Sequence, residues 1–263
     1  MEERETSLQA QSCASETLLL EKPGCVLVRE QMLFRGAATA AEHDSRAGLV
    51  AHEMAHQMGA YHSFNSMAAG SCSPGNRQGN AAYEPGSGST LMAYPGLCGS
   101  ENLQGGRDAY FHTGSYEQLH ARMFNGAYNT SGVATGNTVP SVQVPAGNKV
   151  LPIGTPFKLT ATATDADGDA LTYCWDQLNL GRAAALSTPQ VPNDSVPLFR
   201  SWPPGSSPTR YFPRLSTLLN NGTDLAERLP TVSRQLSFSC LVRDLHAGPQ
   251  GVVGGTNSSD LVQ

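Results

Sequence analysis

His52-Glu53-Met54-Ala55-His56-Gln57-Met58-Gly59-Ala60-Tyr61-His62 is the stretch from which the rest of the chain is read. Set on a helix, His52 and His56 stand one turn apart on a single face. Two imidazole nitrogens at that spacing suit a tetrahedral Zn²⁺. Glu53 points to the side, where a carboxylate can take a proton from a metal-held water without entering the coordination sphere. A helix continuing through Gly59 would carry residue 62 about 9 Å past His56, out of reach. Glycine tolerates positive φ and commonly ends helices, so the chain can turn at Gly59 and bring His62 back as a third ligand. Three protein ligands leave a fourth position for water, as in catalytic rather than structural zinc sites. The competing reading is an ordinary helix whose exposed histidines match by chance. The glycine and the third histidine, each at the offset the geometry requires, favour the metal.

These residues resemble the metzincin metalloproteases, whose signature H-E-x-x-H-x-x-G-x-x-H is followed by a methionine turn. Ser87-Gly88-Ser89-Thr90-Leu91-Met92-Ala93-Tyr94 places Met92 at the family's methionine position. The wider run from Tyr83-Glu84-Pro85-Gly86 to Leu97-Cys98-Gly99 is similar to the bacterial reprolysin-like branch, and the resemblance covers roughly residues 45–125. It implies an α+β metzincin-type catalytic domain over residues 1–127, with zinc on His52, His56 and His62, Glu53 as general base and protein or peptide substrates. Met92 would support the ligands by packing. The Met-x-Tyr spacing is also that of astacins and serralysins, whose tyrosine can approach the metal. Tyr94 is therefore either a structural aromatic or a metal-proximal one. Ser63 stands where typical reprolysins carry aspartate. Metzincins place a five-stranded sheet and two helices before this helix, which needs about 70–80 residues at average element lengths. Fewer than 50 precede it here, so the domain is read as N-terminally shortened, from a fragment or an internal start.

The 263 residues leave room for one large or two ordinary domains. A net charge of −5 gives no basic footprint for nucleic acid, and no apolar run is long enough to span a membrane. The start, Met-Glu-Glu-Arg-Glu-Thr, lacks the basic and apolar regions of a signal peptide. The six cysteines contain no C-x-x-C pair, and an even count fits disulfides and an oxidising, extracellular compartment. The cysteines point to secretion and the start of the sequence does not; the expectation is an extracellular protein, and a monomer. Cys72 and Cys98 flank the methionine turn, where a disulfide would pin the loop carrying Met92; free buried thiols are the alternative. Cys13 and Cys25 are paired with each other or free.

Along the chain, Cys25 to Phe34 alternates as a strand, and Asp44 or Ser45 is the expected N-cap of the histidine-bearing helix. Val50, Met54 and Met58 give that helix a buried stripe. Ser115 to Gln118 reads as a capping box for a second helix, with Leu119 and Met123 on one face. Residues 128–147 have linker composition. Beyond them, residues 148–263 resemble the immunoglobulin- and cadherin-like β-sandwiches that follow many secreted bacterial enzymes. Phe157, Leu159, Ala161 and Ala163 alternate as one strand, while Leu171, Tyr173 and Trp175 share a face of the next. Cys174 and Cys240 are candidates to bridge the sandwich. Asp165, Asp167 and Asp169 form either a Ca²⁺ site or a plain turn. Two functions follow: a zinc metalloendopeptidase, or an impaired protease remnant serving as an extracellular binding module.

Overall fold

Helix α1 (Arg46–Gln57) carries the first two histidines and ends at Gly59. Gly59 has φ of +91°, its N–H reaches His56 O, and the next N–H, of Ala60, reaches Ala55 O at 2.9 Å. This is a Schellman closure with glycine in the left-handed position. A Cβ at Gly59 would also meet Arg122 Cγ at 3.3 Å, so packing as well as torsion favours glycine. The helix buries His52 and Ala55, whereas Val50 is half exposed. The stripe expected at Val50, Met54 and Met58 is thus not the buried face.

The computed structural model describes residues 46–68, 70–72, 75–124, 136–145, 149–248, 251–252, 254 and 256–262. They lie within one compact unit, 39–263. The expected strand at 25–34, the N-cap at Asp44 or Ser45, Cys13, Cys25 and much of the linker fall outside the described residues.

From Tyr61 to His112 the chain is almost free of regular structure, with one 3₁₀ turn at Gly99–Glu101. Helix α2 (Thr113–Phe124) then packs behind the end of α1, and its Gln118 Oε1 accepts the Tyr61 N–H at 3.0 Å. It starts two residues before the expected capping box. His112 Nδ1 accepts the Gly114 N–H, and a carboxylate from elsewhere in the fold takes the Thr113 N–H. Leu119 and Met123 are buried as the periodicity predicts.

The C-terminal half is antiparallel in all its described pairings. Strand β1 (Ser141–Gln143) pairs with β3 (Thr162–Thr164), and β2 (Phe157–Thr160) with β5 (Thr209–Phe212). A short helix α3 (Leu215–Leu219) follows β5. Strand β6 (Ser237–Arg243) lies between β4 (Thr172–Gln177) and β9 (Thr256–Val262), and β7 (Ala247–Gly248) pairs with β8 (Gly251–Val252). The single strand expected from Phe157 to Ala163 is therefore two, because the chain changes partner at Ala161. Its alternation survives the switch: Leu159 and Ala161 are buried between the exposed Lys158, Thr160 and Thr162.

One core joins the sheets, with Leu159 and Phe212 facing Trp175, Phe238, Cys240 and Val242. Strands β4 and β6 are covered on their other face too, where Cys174 and Leu241 pack against Tyr110 and Tyr116. The register explains why the expected Cys174–Cys240 bridge does not form. Trp175 is opposite Cys240 and Cys174 opposite Leu241, so the two sulfurs lie on opposite faces of one sheet. Both thiols are free and buried. The expected boundary at 128–147 falls inside the compact unit, and bonds cross it, including Leu186 N–H to Glu101 Oε2 at 2.7 Å and Arg77 Nη2 to Gly181 O at 2.8 Å.

Candidate metal centre

The three histidines converge on one point. His56 Nε2 lies 3.1 Å from His52 Nε2 and 3.0 Å from His62 Nε2. The other nitrogen of each ring meets a backbone carbonyl: His52 Nδ1 donates to Leu91 O at 2.7 Å, His56 Nδ1 to Ala60 O at 2.8 Å and His62 Nδ1 to Asn76 O at 2.6 Å. A carbonyl oxygen can only accept, so each Nδ1 carries a proton, and a ring in its neutral form turns its Nε2 lone pair inward. Three inward lone pairs at 3 Å repel one another unless a cation stands between them.

The spacing fits such a cation. Zinc–imidazole distances of about 2.0–2.1 Å put tetrahedral nitrogens roughly 3.3–3.4 Å apart, a few tenths of an ångström wider than these rings. The backbone bonds to Nδ1 are the outer contacts that orient metal-binding histidines. Burial lowers His52 to a pKa of about 4, against the opposing pull of the Leu91 carbonyl, and lowers His62 as well. Both rings are thus neutral, the state a ligand requires. His52, His56 and His62 can hold a metal ion.

Glu53 is exposed beside this group, and its charge acts on both His62 and Tyr94. Tyr94 is half-buried, its ring centre 4.4 Å from that of His62 and 4.9 Å from that of the fully buried Phe64. The Cys72–Cys98 disulfide, Cα atoms 5.1 Å apart, packs against Phe64 and Tyr94 and so backs the ring stack beside His62. Met92 is completely buried, and its carbonyl accepts the Ser63 N–H at 3.1 Å, tying the methionine turn to the residue after the third histidine.

Three contributors escaped the sequence reading. Glu84 is fully buried and accepts from Ser63 Oγ at 2.6 Å, Thr90 Oγ1 at 2.5 Å, Ser89 N at 2.7 Å and Thr90 N at 3.3 Å. It joins the strand of chain leaving His62 to the methionine turn. Gly88 sits over this carboxylate with φ of +62°, and a Cβ there would lie 2.9 Å from Glu84 Cδ. The sequence reading placed Glu84 in the run that carries the resemblance but gave it no role, since a Ser/Thr/Gly loop has no periodicity to expose one. Arg107 is the second: its guanidinium lies 5.9 Å from the Tyr94 ring centre, and its charge is felt by His52 and His62. The third is the set of carbonyls of Ala60, Asn76 and Leu91, which no side-chain pattern reveals.

Asp165, Asp167 and Asp169 bring one carboxylate oxygen each within 4.8 Å of the others. Asp165 Oδ1 accepts the N–H groups of Asp167 and Asp169, Asp167 accepts the Thr138 N–H, and Asp169 bonds His246. These bonds shape the turn, and Asp165 Oδ2 is buried without a hydrogen-bond partner among the described residues. A cavity of about 560 Å³ lies elsewhere, lined by Arg200, Ser216, Asp224 and neighbours, and touches none of the three histidines.

No curated protein and no solved structure matches the chain. Residues 4–104 match the reprolysin model of Metallo-peptidase family M12. The match takes in α1, all three histidines, Met92 and Cys98, and begins well upstream of the stretch over which the resemblance was first legible. It supports the assignment of this part of the chain to the M12 metallopeptidases.

Proposed function

We propose that the protein is a secreted zinc metalloendopeptidase acting on peptide bonds of protein substrates. The observation that carries this reading is the convergence of three Nε2 atoms at 3.0–3.1 Å with every Nδ1 tied to a carbonyl. Zinc held by His52, His56 and His62 would supply a Lewis acid for the scissile carbonyl and lower the pKa of water. Glu53, exposed and next to the first ligand, takes the proton from the attacking water and returns it to the departing amine. Tyr94 keeps its phenolic proton at neutral pH, because burial first and the Glu53 charge second raise its pKa. It therefore remains a donor beside His62. Met92 packs beneath the rings without bonding the metal. The half-exposed His56 and His62 leave the site open to an extended peptide.

Secretion is supported by the Cys72–Cys98 disulfide, since such bonds persist in oxidising compartments. Among the described residues no helix is long and apolar enough to cross a membrane. The antiparallel C-terminal half, in which residues of β2 and β5 share one core with residues of β4 and β6, supports an immunoglobulin-like assignment for residues 148–263. The direct test is Glu53→Gln. Zinc content should stay at the wild-type level while cleavage of a denatured protein falls by roughly 10²–10⁴, the usual worth of a general base. Undiminished cleavage would remove Glu53 from the mechanism. Zinc binding without cleavage in the wild-type chain would favour the binding-module reading instead.

A further inference from the structure

We infer that Tyr110, Ser201 and Asp176 form a positioning chain through which the C-terminal half holds His52 in its metal-facing orientation, an inference that rests on the metallopeptidase reading above. The chain starts at the ligand. His52 Nδ1 donates to Leu91 O at 2.7 Å, and the Leu91 N–H donates in turn to Tyr110 O at 3.0 Å. The Tyr110 hydroxyl donates to Ser201 Oγ at 2.8 Å, and Ser201 Oγ to Asp176 Oδ1 at 2.5 Å. The other oxygen of Asp176 accepts both the N–H and the hydroxyl of Thr113, each at 2.8 Å.

Every donor in this series has one possible direction. A carboxylate only accepts, so the Ser201 hydroxyl must point at Asp176, leaving its lone pair for Tyr110. Burial keeps the Tyr110 phenol protonated, which suits its part as donor. Tyr110, Ser201 and Asp176 are all buried, so water cannot replace these bonds without opening the fold. Asp176 lies on β4, paired with Ser239 of the central strand β6, in the most regular part of the molecule. Tyr110 and Leu91 belong to irregular chain, whose position has to come from tertiary bonds. The carboxylate therefore clamps residues 110–113 at both ends, through Ser201 at Tyr110 and directly at Thr113. The Tyr110 peptide then fixes the carbonyl that sets the His52 ring. On this account the C-terminal half is part of the support of the site.

The test uses the full 263-residue chain and three variants: Tyr110→Phe, Ser201→Ala and their combination. Leu159→Val, in the C-terminal core and outside the chain of bonds, serves as a control for lost stability. Zinc dissociation constants come from competition with a chromophoric chelator, and ligand geometry from the visible bands of the cobalt-substituted protein. Each single variant is expected to weaken zinc about tenfold, the lower end for outer-shell partners of a ligand, and to shift the cobalt bands. The double variant should be no worse than either single, because both break the same series. Leu159→Val should lower Tm and leave both readouts unchanged. Zinc affinity and cobalt bands that stay at wild-type values in Tyr110→Phe and Ser201→Ala would overturn the inference alone, as would equal changes in Leu159→Val. A wild-type chain that takes up no zinc would overturn it together with the metallopeptidase reading.

Discussion

Glu84 offers the sharpest separation between shape and charge in the support of the site. Its Oε1 faces two hydroxyls, Ser63 Oγ and Thr90 Oγ1, whereas its Oε2 faces two backbone N–H groups, of Ser89 and Thr90. Hydroxyls can rotate and become acceptors; backbone N–H groups cannot. In Glu84→Gln the amide oxygen can take the Oε2 position and its NH₂ group the Oε1 position, so both backbone N–H groups keep their acceptor and only the two hydroxyl protons must turn elsewhere. The loss is then the charge assistance, about 1–2 kcal/mol. Glu84→Ala instead strands two buried N–H groups, at roughly 1–3 kcal/mol each, and leaves a small void. We expect a total of about 3–5 kcal/mol. For a unit of this size that lowers Tm by roughly 6–20 °C, against about 2–8 °C for glutamine. Thermal unfolding followed by circular dichroism on both variants reads the difference. If glutamine were as damaging as alanine, the carboxylate's charge would matter in itself and the hydrogen-bond account would fail. If alanine were nearly neutral, the carboxylate would not be the clamp we describe.

Two further outcomes follow from single residues. Gly59→Ala forces a Cβ into the left-handed region at φ of +91° and against Arg122, so stability should drop by roughly 1–2 kcal/mol. Because the turn delivers His62, zinc affinity should fall with it, and a variant with wild-type zinc affinity would refute the role given to this turn. Burial by itself would raise the Asp176 carboxyl, but His112 and the bonds from Ser201 and Thr113 outweigh it and lower the folded-state pKa. A depressed folded pKa contributes stability that is present above the unfolded value of about 3.9 and is lost as pH falls below it. Tm against pH should therefore steepen below about pH 4 in the wild-type chain and be flatter in Asp176→Asn; parallel curves would contradict this.

The candidate metal centre was legible because its chemistry is written in local spacing. His52, His56, Gly59 and His62 fix one helical turn and one reversal, and both are set by sequence neighbours. The core of the C-terminal half was legible for the same reason, since period-two alternation marked Leu159 and Trp175. What stayed hidden depends on contacts across the chain. Cys174 and Cys240 looked like a bridge across a sandwich, yet they lie on neighbouring strands of one sheet, and the register turns their sulfurs to opposite faces. Val50 fitted a helical stripe, but the helix buries His52 and Ala55 because the irregular loop, with Leu91 as a partner, covers that side. Glu84 lay in the run that carries the resemblance and Asp176 beside a strand pattern, but their importance lies in donors from Ser63 to Thr113 that no spacing rule connects to them. The change of sheet at Ala161 left the alternation intact, so periodicity could not reveal it.

The measurement that bears most directly on the central claim is the zinc content of the purified 263-residue chain, made alongside cleavage of a denatured protein with and without a chelator. The geometry of His52, His56 and His62 leads us to expect one zinc per chain, loss of that zinc in His56→Ala, and cleavage that the chelator abolishes and added zinc restores. A folded chain that binds no zinc, or cleavage indifferent to the chelator, would contradict the account.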